Sequence, residues 1–288
     1  MSRRAFAAWV ALSALAPPAV ALPLATTPRS PHVPHPPSLA APHPPSLAAP
    51  RPRSLAAPRR TAAGSACQHN TADSLSHTGG ASQLVLVVAP STSSTTASVT
   101  IWRRSRRSGP AGATARGPTA SCFVAAGGPW LAEVGVSGLS SHHTEGDGTT
   151  PIGAFPIEPV MYGVDPDPGV AYPYHRLVCG DWWDEDPSSP AYNRFVHLPC
   201  GESPPFGGNS EALWTEAPDY DWLAVVAYNV DPTIPGRGSG IFLHLSTGIP
   251  TTGCVALALA PLLTTLRWLR PAAHPLVVIG TARGIDSE

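Results

Sequence analysis

Short runs of apolar and β-branched residues recur along the chain from about residue 82 to residue 281. Gly, Pro, Ser and Thr separate these runs, which is typical of many short strands joined by loops. The predicted strands are Gln83–Val88, Ser98–Trp102, Trp130–Val136, Trp222–Tyr228, Ile241–Leu245 and Pro275–Gly280. This pattern predicts a mainly β fold, built as a sandwich or a barrel.

One segment has the period of a helix instead. Pro261 suits a first helical turn, and Leu262, Leu266 and Leu269 then fall on one face before Pro271 ends the segment. We expect this short helix to pack on the sheet.

The stretch Gly240–Leu257 places a histidine and a cysteine on either side of a turn-rich loop. The interpretation is a strand that ends at His244, a tight loop, and a hairpin-like return that brings Cys254 opposite the imidazole. An imidazole beside a thiol makes a nucleophile at neutral pH. Gly253 lacks a side chain, so the Gly253 and Cys254 N–H groups could form an oxyanion hole. The alternative is a buried small cysteine and a structural histidine.

The same stretch resembles the catalytic signature of the L,D-transpeptidases, the YkuD-like family, through His244, Thr251, Gly253 and Cys254. A second block, residues 146–155, resembles that family's Asp-x-x-Thr-Pro-x-Gly-x-Phe segment. The resemblance covers about residues 82–281. It implies a mainly β fold, an L,D-transpeptidase-like β-sandwich with a short helix after the catalytic cysteine and a long disulfide-stapled insert.

The resemblance also implies a reaction. Cys254 would form a thioester with a peptidoglycan stem peptide while His244 moves the protons, and an amine of a second stem would take the acyl group to give a 3-3 crosslink. No cofactor or metal is required. Ser246, Thr251 and Thr252 are candidate substrate-contacting or orienting residues, and either Ser246 or a backbone carbonyl would hold the imidazole.

The sequence departs from the family's common pattern. Thr252 stands where many members have a second histidine, and the loop between His244 and Cys254 is short. Two other functions therefore stay open. One is a hydrolase that passes the same acyl-enzyme to water, and the other is a catalytically inactive module that binds the cell wall.

The first residues predict export. Residues 1–21 combine a basic head, an apolar run and a small-x-small site, as in a signal peptide. The run is shorter than the ~20 residues of a spanning helix, so we expect no stable membrane anchor. Residues 22–65 contain the repeat HPPSLAAP and predict a disordered linker, which leaves residues 66–288 as the catalytic domain of a protein exported to the cell wall.

Five cysteines in an exported chain leave one thiol unpaired. If Cys254 is the nucleophile, proximity favours the bridges Cys179–Cys200 and Cys67–Cys122. No Cys-x-x-Cys or His-x-x-x-His pair is present, so a zinc site is rejected. The net charge of −1 gives no basic surface for nucleic acid, and we expect a monomer.

A long insert, from about residue 158 to residue 214, concentrates aromatic and acidic residues. One hypothesis is a lid beside the active site whose carboxylates attract the free amine of a diamino acid. The other is a disulfide-stapled small core with solvated acids. The acidic residues concerned are Asp181, Asp184, Glu185 and Asp186.

Overall fold

The computed structural model describes residues 70–106 and 121–288. All of these residues belong to one compact unit, Arg60–Glu288. The predicted signal peptide, 1–21, and the predicted linker, 22–65, lie outside the described residues. No helix among the described residues is long and apolar enough to cross a membrane.

The described residues form mainly strands, with short helices between some of them. The α-helices are α1, Thr71–Ser74, and α2, Leu259–Trp268. The strands are β1 Gln83–Ala89, β2 Thr96–Arg106, β3 Ser121–Glu133, β4 Leu139–Ser140, β5 Thr150–Pro151, β6 Gly153–Gly163, β7 Tyr174–Arg176, β8 Asp181–Asp184, β9 Arg194–His197, β10 Glu211–Ala212, β11 Leu223–Val226, β12 Phe242–Leu245, β13 Val255–Leu257 and β14 Leu276–Thr281. Single 3-10 turns occupy Leu213–Thr215, Pro271–Ala273 and Ile285–Ser287. The predicted mainly β class is confirmed.

The largest sheet is mixed and has the order β11-β12-β13-β3-β2-β1-β14-β6-β7. Strand β11 also pairs with β6, through Ala224 opposite Met161, so the sheet closes into a ring. Closure leaves no open edge between these two strands. The sequence pattern left a sandwich and a barrel open, and the structure has one mixed sheet that closes through the β11–β6 pairing.

The main core lies on one face of this sheet, and α2 packs into it. Leu262 and Leu266 of the helix are buried with Val85 and Val87 of β1, as the helical period predicts. The other face of β1 is buried as well, because Leu84 and its neighbours pack in a second cluster. A strand that is buried on both faces reads as a continuous apolar run, which is how β1 appears in the sequence.

The prediction of a hairpin-like return between His244 and Cys254 is wrong. Strands β12 and β13 are parallel, with Leu243 opposite Val255 and Leu245 opposite Leu257. Parallel neighbours need a crossover, and residues 246–254 provide it. Strand β11 pairs with both β6 and β12 and lies between them, so the strand that follows Thr150 is not adjacent to the His244 strand.

The insert contains a small sheet of its own, in the order β10-β8-β9. The predicted Cys179–Cys200 disulfide is present and spans 21 residues. The other predicted bridge involves Cys67, which lies outside the described residues. Trp183 of β8 is buried against Leu223 of β11 and Phe242 of β12, so the insert shares a core with the large sheet.

Candidate active site around Cys254

Cys254 lies at the end of the crossover, one residue before β13, and its side chain is 5% exposed. Its Sγ donates to the Gly240 carbonyl at 3.2 Å and accepts from the Phe242 N–H at 3.3 Å. Both partners belong to the segment that leads into β12. The thiol is therefore fixed against the neighbouring strand and not directed into bulk solvent.

The backbone of Cys254 joins the two blocks of sequence that resemble the L,D-transpeptidase motifs. Its carbonyl accepts from Thr251 Oγ1 at 2.7 Å and from Thr150 Oγ1 at 3.3 Å. Thr150 is fully buried and also accepts from the Gly135 N–H at 2.8 Å. Two segments about a hundred residues apart in the chain thus meet at the carbonyl of one residue.

His244 lies on β12, opposite Ala256 of β13. Side chains alternate along a strand, so His244 and Cys254 are on the same face of the sheet. The imidazole Nδ1 is 2.8 Å from the Leu245 carbonyl, which can only accept, so Nδ1 carries a hydrogen. A backbone carbonyl, and not Ser246, therefore orients the ring.

His244 and Cys254 line one cavity of about 230 Å³, which we call the thiol cavity. Asp219, Tyr220 and Thr252 line it as well. Among the described residues, no hydrogen bond joins the thiol to the imidazole, since each is bound to a backbone carbonyl. The side chains share a cavity, and rotation of the thiol away from Gly240 is needed to bring them into contact.

Both groups are neutral in this arrangement. Burial and the nearby Glu211 carboxylate raise the pKa of the Cys254 thiol well above its usual value. Burial lowers the pKa of the His244 imidazole, although the Leu245 carbonyl and the charge of Asp219 act in the opposite direction. A neutral imidazole can accept a proton, so the pair is suited to general-base activation and not to a preformed thiolate.

Two residues of this cavity carry no signal in the sequence. The Tyr220 ring packs edge-on against His244, with centroids 5.5 Å apart, and its hydroxyl donates to Glu211 at 2.6 Å. Asp219 Oδ1 is buried and has no hydrogen-bond partner among the described residues. Tyr220 and Asp219 precede β11 by only a few residues, but the local pattern does not place them beside His244.

A second cavity of about 470 Å³ adjoins the thiol cavity, and both are lined by Thr252 and Glu211. Glu145 and Glu185 also line it, so we call it the acidic cavity. Burial and the Glu211 charge raise the pKa of Glu185 to about 9, and burial raises that of Glu211 to about 7. Glu185 thus lines a cavity next to the thiol cavity, whereas the other three acids of the lid hypothesis, Asp181, Asp184 and Asp186, line neither cavity.

The other predicted site residues, Ser246, Thr252 and Gly253, differ in whether they face the two cavities. The Ser246 hydroxyl donates to Glu133 and accepts from the Gly248 N–H, away from the imidazole. Thr252 is exposed at the boundary of the two cavities. Gly253, one of the two predicted oxyanion donors, has its N–H engaged by Thr251 Oγ1 at 3.2 Å. Among the described residues, no side chain accepts a hydrogen bond from the Cys254 N–H.

His143 is more deeply placed than the sequence suggests. Its ring is 4% exposed and its Nδ1 lies 2.9 Å from Asp147 Oδ1 and 3.0 Å from Thr149 Oγ1. Burial lowers the pKa of His143 in spite of the Asp147 charge. Its contacts indicate that it anchors the Asp147 turn at the floor of the acidic cavity.

The described residues contain no group of three or more His, Cys, Asp or Glu side chains placed to hold a metal ion. The two cavities present one thiol, that of Cys254, together with the His244 and His143 imidazoles and the surrounding carboxyl groups. A fold does not define an activity, so function has to be argued from these groups. Comparisons of the chain with protein-family models, with curated proteins and with solved structures find no match.

Proposed function

We propose that the protein is an exported cysteine acyltransferase of the L,D-transpeptidase type, acting on peptidoglycan stem peptides. The observation that carries the proposal is that Cys254 and His244 line one cavity while Thr150 and Thr251 both bind the Cys254 carbonyl. These are the residues by which the sequence resembles that family. The β-sandwich that the family implies belongs to the same proposal.

The first half of the reaction forms a thioester. The Cys254 thiol leaves the Gly240 carbonyl and gives its proton to Nε2 of His244, and the sulfur attacks the carbonyl carbon of the scissile amide. The Leu245 carbonyl and the Asp219 charge stabilise the imidazolium that results. The C–N bond then breaks, and the departing amine takes the proton back from His244.

The second half transfers the acyl group. An amine of a second stem attacks the thioester carbon, its proton goes to His244, and the C–S bond breaks to regenerate the thiol after the imidazolium returns the proton. No cofactor takes part, because the thioester retains the energy of the broken amide. The Cys254 N–H is the proposed oxyanion donor, and Gly253 can join it only by releasing Thr251.

Export is part of the proposal. Residues 1–21 predict a signal peptide, and the Cys179–Cys200 disulfide supports an oxidising compartment, where such bonds form and persist.

A second candidate is the inactive wall-binding module. The observation that favours it is the resting state of the thiol, which is neutral, buried and bound to Gly240 in place of His244. A thiol in this state is inert until something shifts it.

A β-lactam of the carbapenem class separates the two candidates, because it acylates a functional nucleophile of this type. Intact mass spectrometry of the reduced, folded protein is expected to show one adduct on wild type and none on Cys254→Ala. His244→Gln should slow adduct formation by at least about 100-fold, the lower end of what general-base catalysis contributes. Absence of an adduct on folded wild type would favour the binding module. Digestion of purified muropeptides then distinguishes crosslinked dimers from the trimmed products of a hydrolase.

A further inference from the structure

We infer that the acidic cavity is a binding subsite for a primary ammonium group of the substrate, with the Glu185 carboxyl as its contact, which gives up its proton when the ammonium group binds. The inference rests on the proposed function and deepens it, since it names the chemical class of the group held beside the nucleophile. It stands on the burial and lack of partners of Glu185, on the charges around it and on its close approach to Gly240, which accepts a hydrogen bond from Cys254.

Glu185 is buried without a partner. The residue is 9% exposed, and its carboxyl group accepts no hydrogen bond from any of the described residues, although its backbone N–H is bound by Ser210. A buried carboxyl group that lacks a partner is costly, and proteins retain one mainly where a ligand supplies the missing contact. Because Glu185 lines the acidic cavity, a ligand in that cavity can reach it.

The chain makes room for this side chain at Gly240. A Cβ at that position would lie 1.8 Å from Glu185 Oε1, and Gly240 has φ +62°. The backbone therefore approaches the carboxyl group as closely as glycine allows. The Gly240 carbonyl is the acceptor of the Cys254 thiol, so the Glu185 carboxyl and the thiol approach the same residue.

The other charged groups around the cavity make it selective for cations. Glu145 and Glu211 line it together with Asp147, and Asp184 adds to the repulsion on Glu185. The Glu145 carboxyl accepts hydrogen bonds from the Ser239 and Tyr192 hydroxyls, and the Glu211 carboxyl accepts one from Tyr220. Glu185 is the glutamate of this cavity whose carboxyl accepts no hydrogen bond from the described residues. No Arg lines the cavity, and the chain contains no Lys, so the protein itself supplies no counter-charge beyond the neutral His143.

The geometry favours an ammonium group over a metal ion. The described residues contain no three-ligand grouping, whereas an ammonium group needs only one carboxylate and neighbouring acceptors for its three N–H bonds. Asn209 and Ser239 supply polar atoms on the cavity wall. Burial is the largest cause of the raised pKa of the Cys254 thiol, and the Glu211 charge is the next. A bound cation would offset that charge and so make Cys254 easier to ionise when substrate is present.

Binding of two matched probes tests the subsite without any catalysis. Nα-acetyl-L-lysine amide carries a primary ammonium group, and Nα-acetyl-L-norleucine amide has the same chain without it. Isothermal titration of the wild-type protein at pH 7.5 and low salt is expected to show at least about tenfold tighter binding of the lysine probe, as one charge-assisted hydrogen bond provides. Glu185→Gln should remove this preference, and Glu202→Gln, which removes an exposed carboxylate of the same insert, should keep it.

Two results overturn the inference: equal affinity for both probes on wild type, or a preference that survives in Glu185→Gln. If Glu185→Gln does not fold, thermal unfolding of wild type replaces it, because only the lysine probe should raise Tm. The readouts also separate the two proposals. A carbapenem adduct on Cys254 without lysine preference removes the subsite alone, and lysine preference without an adduct removes the acyl transfer alone.

Discussion

Cys254 donates its S–H hydrogen bond to the backbone carbonyl of Gly240, and this single contact decides how the nucleophile must work. The thiol has no anionic character while it is bound to Gly240. Activation therefore requires a rotation toward His244, which faces the same cavity with Nδ1 already committed to the Leu245 carbonyl. The remaining ring nitrogen, Nε2, is the one that can receive the proton.

Glu185 and Glu211 should make the protein less stable as the pH rises. Each carboxyl has a folded pKa, about 9 and about 7, above the ordinary value of 4.5, so the folded state holds protons that the unfolded state has lost. Stability is then complete below pH 4.5 and falls as the pH rises to about 7 for Glu211 and about 9 for Glu185. We expect wild-type Tm to fall by roughly 2–4 °C per unit between pH 7 and 9, and Glu185→Gln to flatten that slope.

The other shifted groups act outside this window. Burial lowers the pKa of His143 and His244, so their contribution is lost only as the pH falls below about 6.5. The lowered pKa of Asp147 and of Asp181 acts near pH 4 and below. Glu202→Gln should keep the wild-type slope, and a Glu185→Gln slope equal to that of wild type would contradict the assignment.

At the scale of elements, the Cys179–Cys200 bridge holds the insert at the end of β9. Cys179→Ser should lower the free energy of unfolding by about 2–5 kcal/mol, because the unfolded chain regains the freedom of a loop of 21 residues. Chemical denaturation measures the change. The double variant Cys179→Ser/Cys200→Ser should be no less stable than the single one, and an unchanged midpoint for Cys179→Ser would show that the bridge contributes nothing.

The closure of the sheet predicts a steric effect at Gly163, the last residue of β6. A Cβ there would lie 2.2 Å from Tyr174 Oη and 2.3 Å from the Asp221 backbone carbonyl. Gly163→Ala should therefore push β7 and the start of β11 apart and destabilise the protein by about 1–3 kcal/mol. Gly80→Ala, where a Cβ would meet nothing within 4 Å, is the matched control. Equal Tm values for the two variants would contradict the closed arrangement.

Periodicity predicted most elements but not their partners. β1, β12, β14 and α2 lie within a few residues of the apolar runs that indicate them. The direction of β13 could not be predicted in this way, because alternation of side chains is the same in parallel and antiparallel strands. Most of β6 was missed, since Pro156, Pro159 and Gly153 interrupt its pattern. Contacts with β14 and β11 stabilise it as a strand despite those residues.

At the scale of the whole molecule, the insert and the large mixed sheet form a single packing unit. The Trp183 ring meets Phe242 edge-on at 5.1 Å, and its Nε1–H donates to Asn193 Oδ1 at 3.1 Å. Cys254 belongs to the same buried cluster. Looser packing of the insert should therefore make the Cys254 thiol more accessible to reagents.

Two neighbouring tryptophans test this coupling. Trp183→Ala should lower the free energy of unfolding by about 3–5 kcal/mol and accelerate alkylation of Cys254, because it opens the shared core. Trp182→Ala should cost less and leave alkylation unchanged, since Trp182 packs on Phe206 and Trp214 within the insert. Urea unfolding followed by fluorescence and by circular dichroism measures stability. Separate transitions for insert and sheet in wild type would contradict a common core.

The sequence indicates the nucleophile and the base of the site but not the carboxyl groups around them. Cys254 and His244 are near in the chain, and a local motif indicates both. Glu145, Glu185 and Glu211 come from three distant segments that only the folded chain assembles around Gly240. Their carboxyl groups look like solvated acids in the sequence. Burial, with the charges of neighbouring carboxylates, raises the pKa of Glu185 and Glu211.

The neutral, enclosed state of Cys254 also bears on how the chain survives oxidation. Thiol–disulfide exchange begins with attack by a thiolate, and so does conversion to sulfenic acid. A sulfur that stays protonated and shielded is slow in both reactions. One molecule can therefore carry the Cys179–Cys200 bridge and the free thiol of Cys254 together without exchange between them.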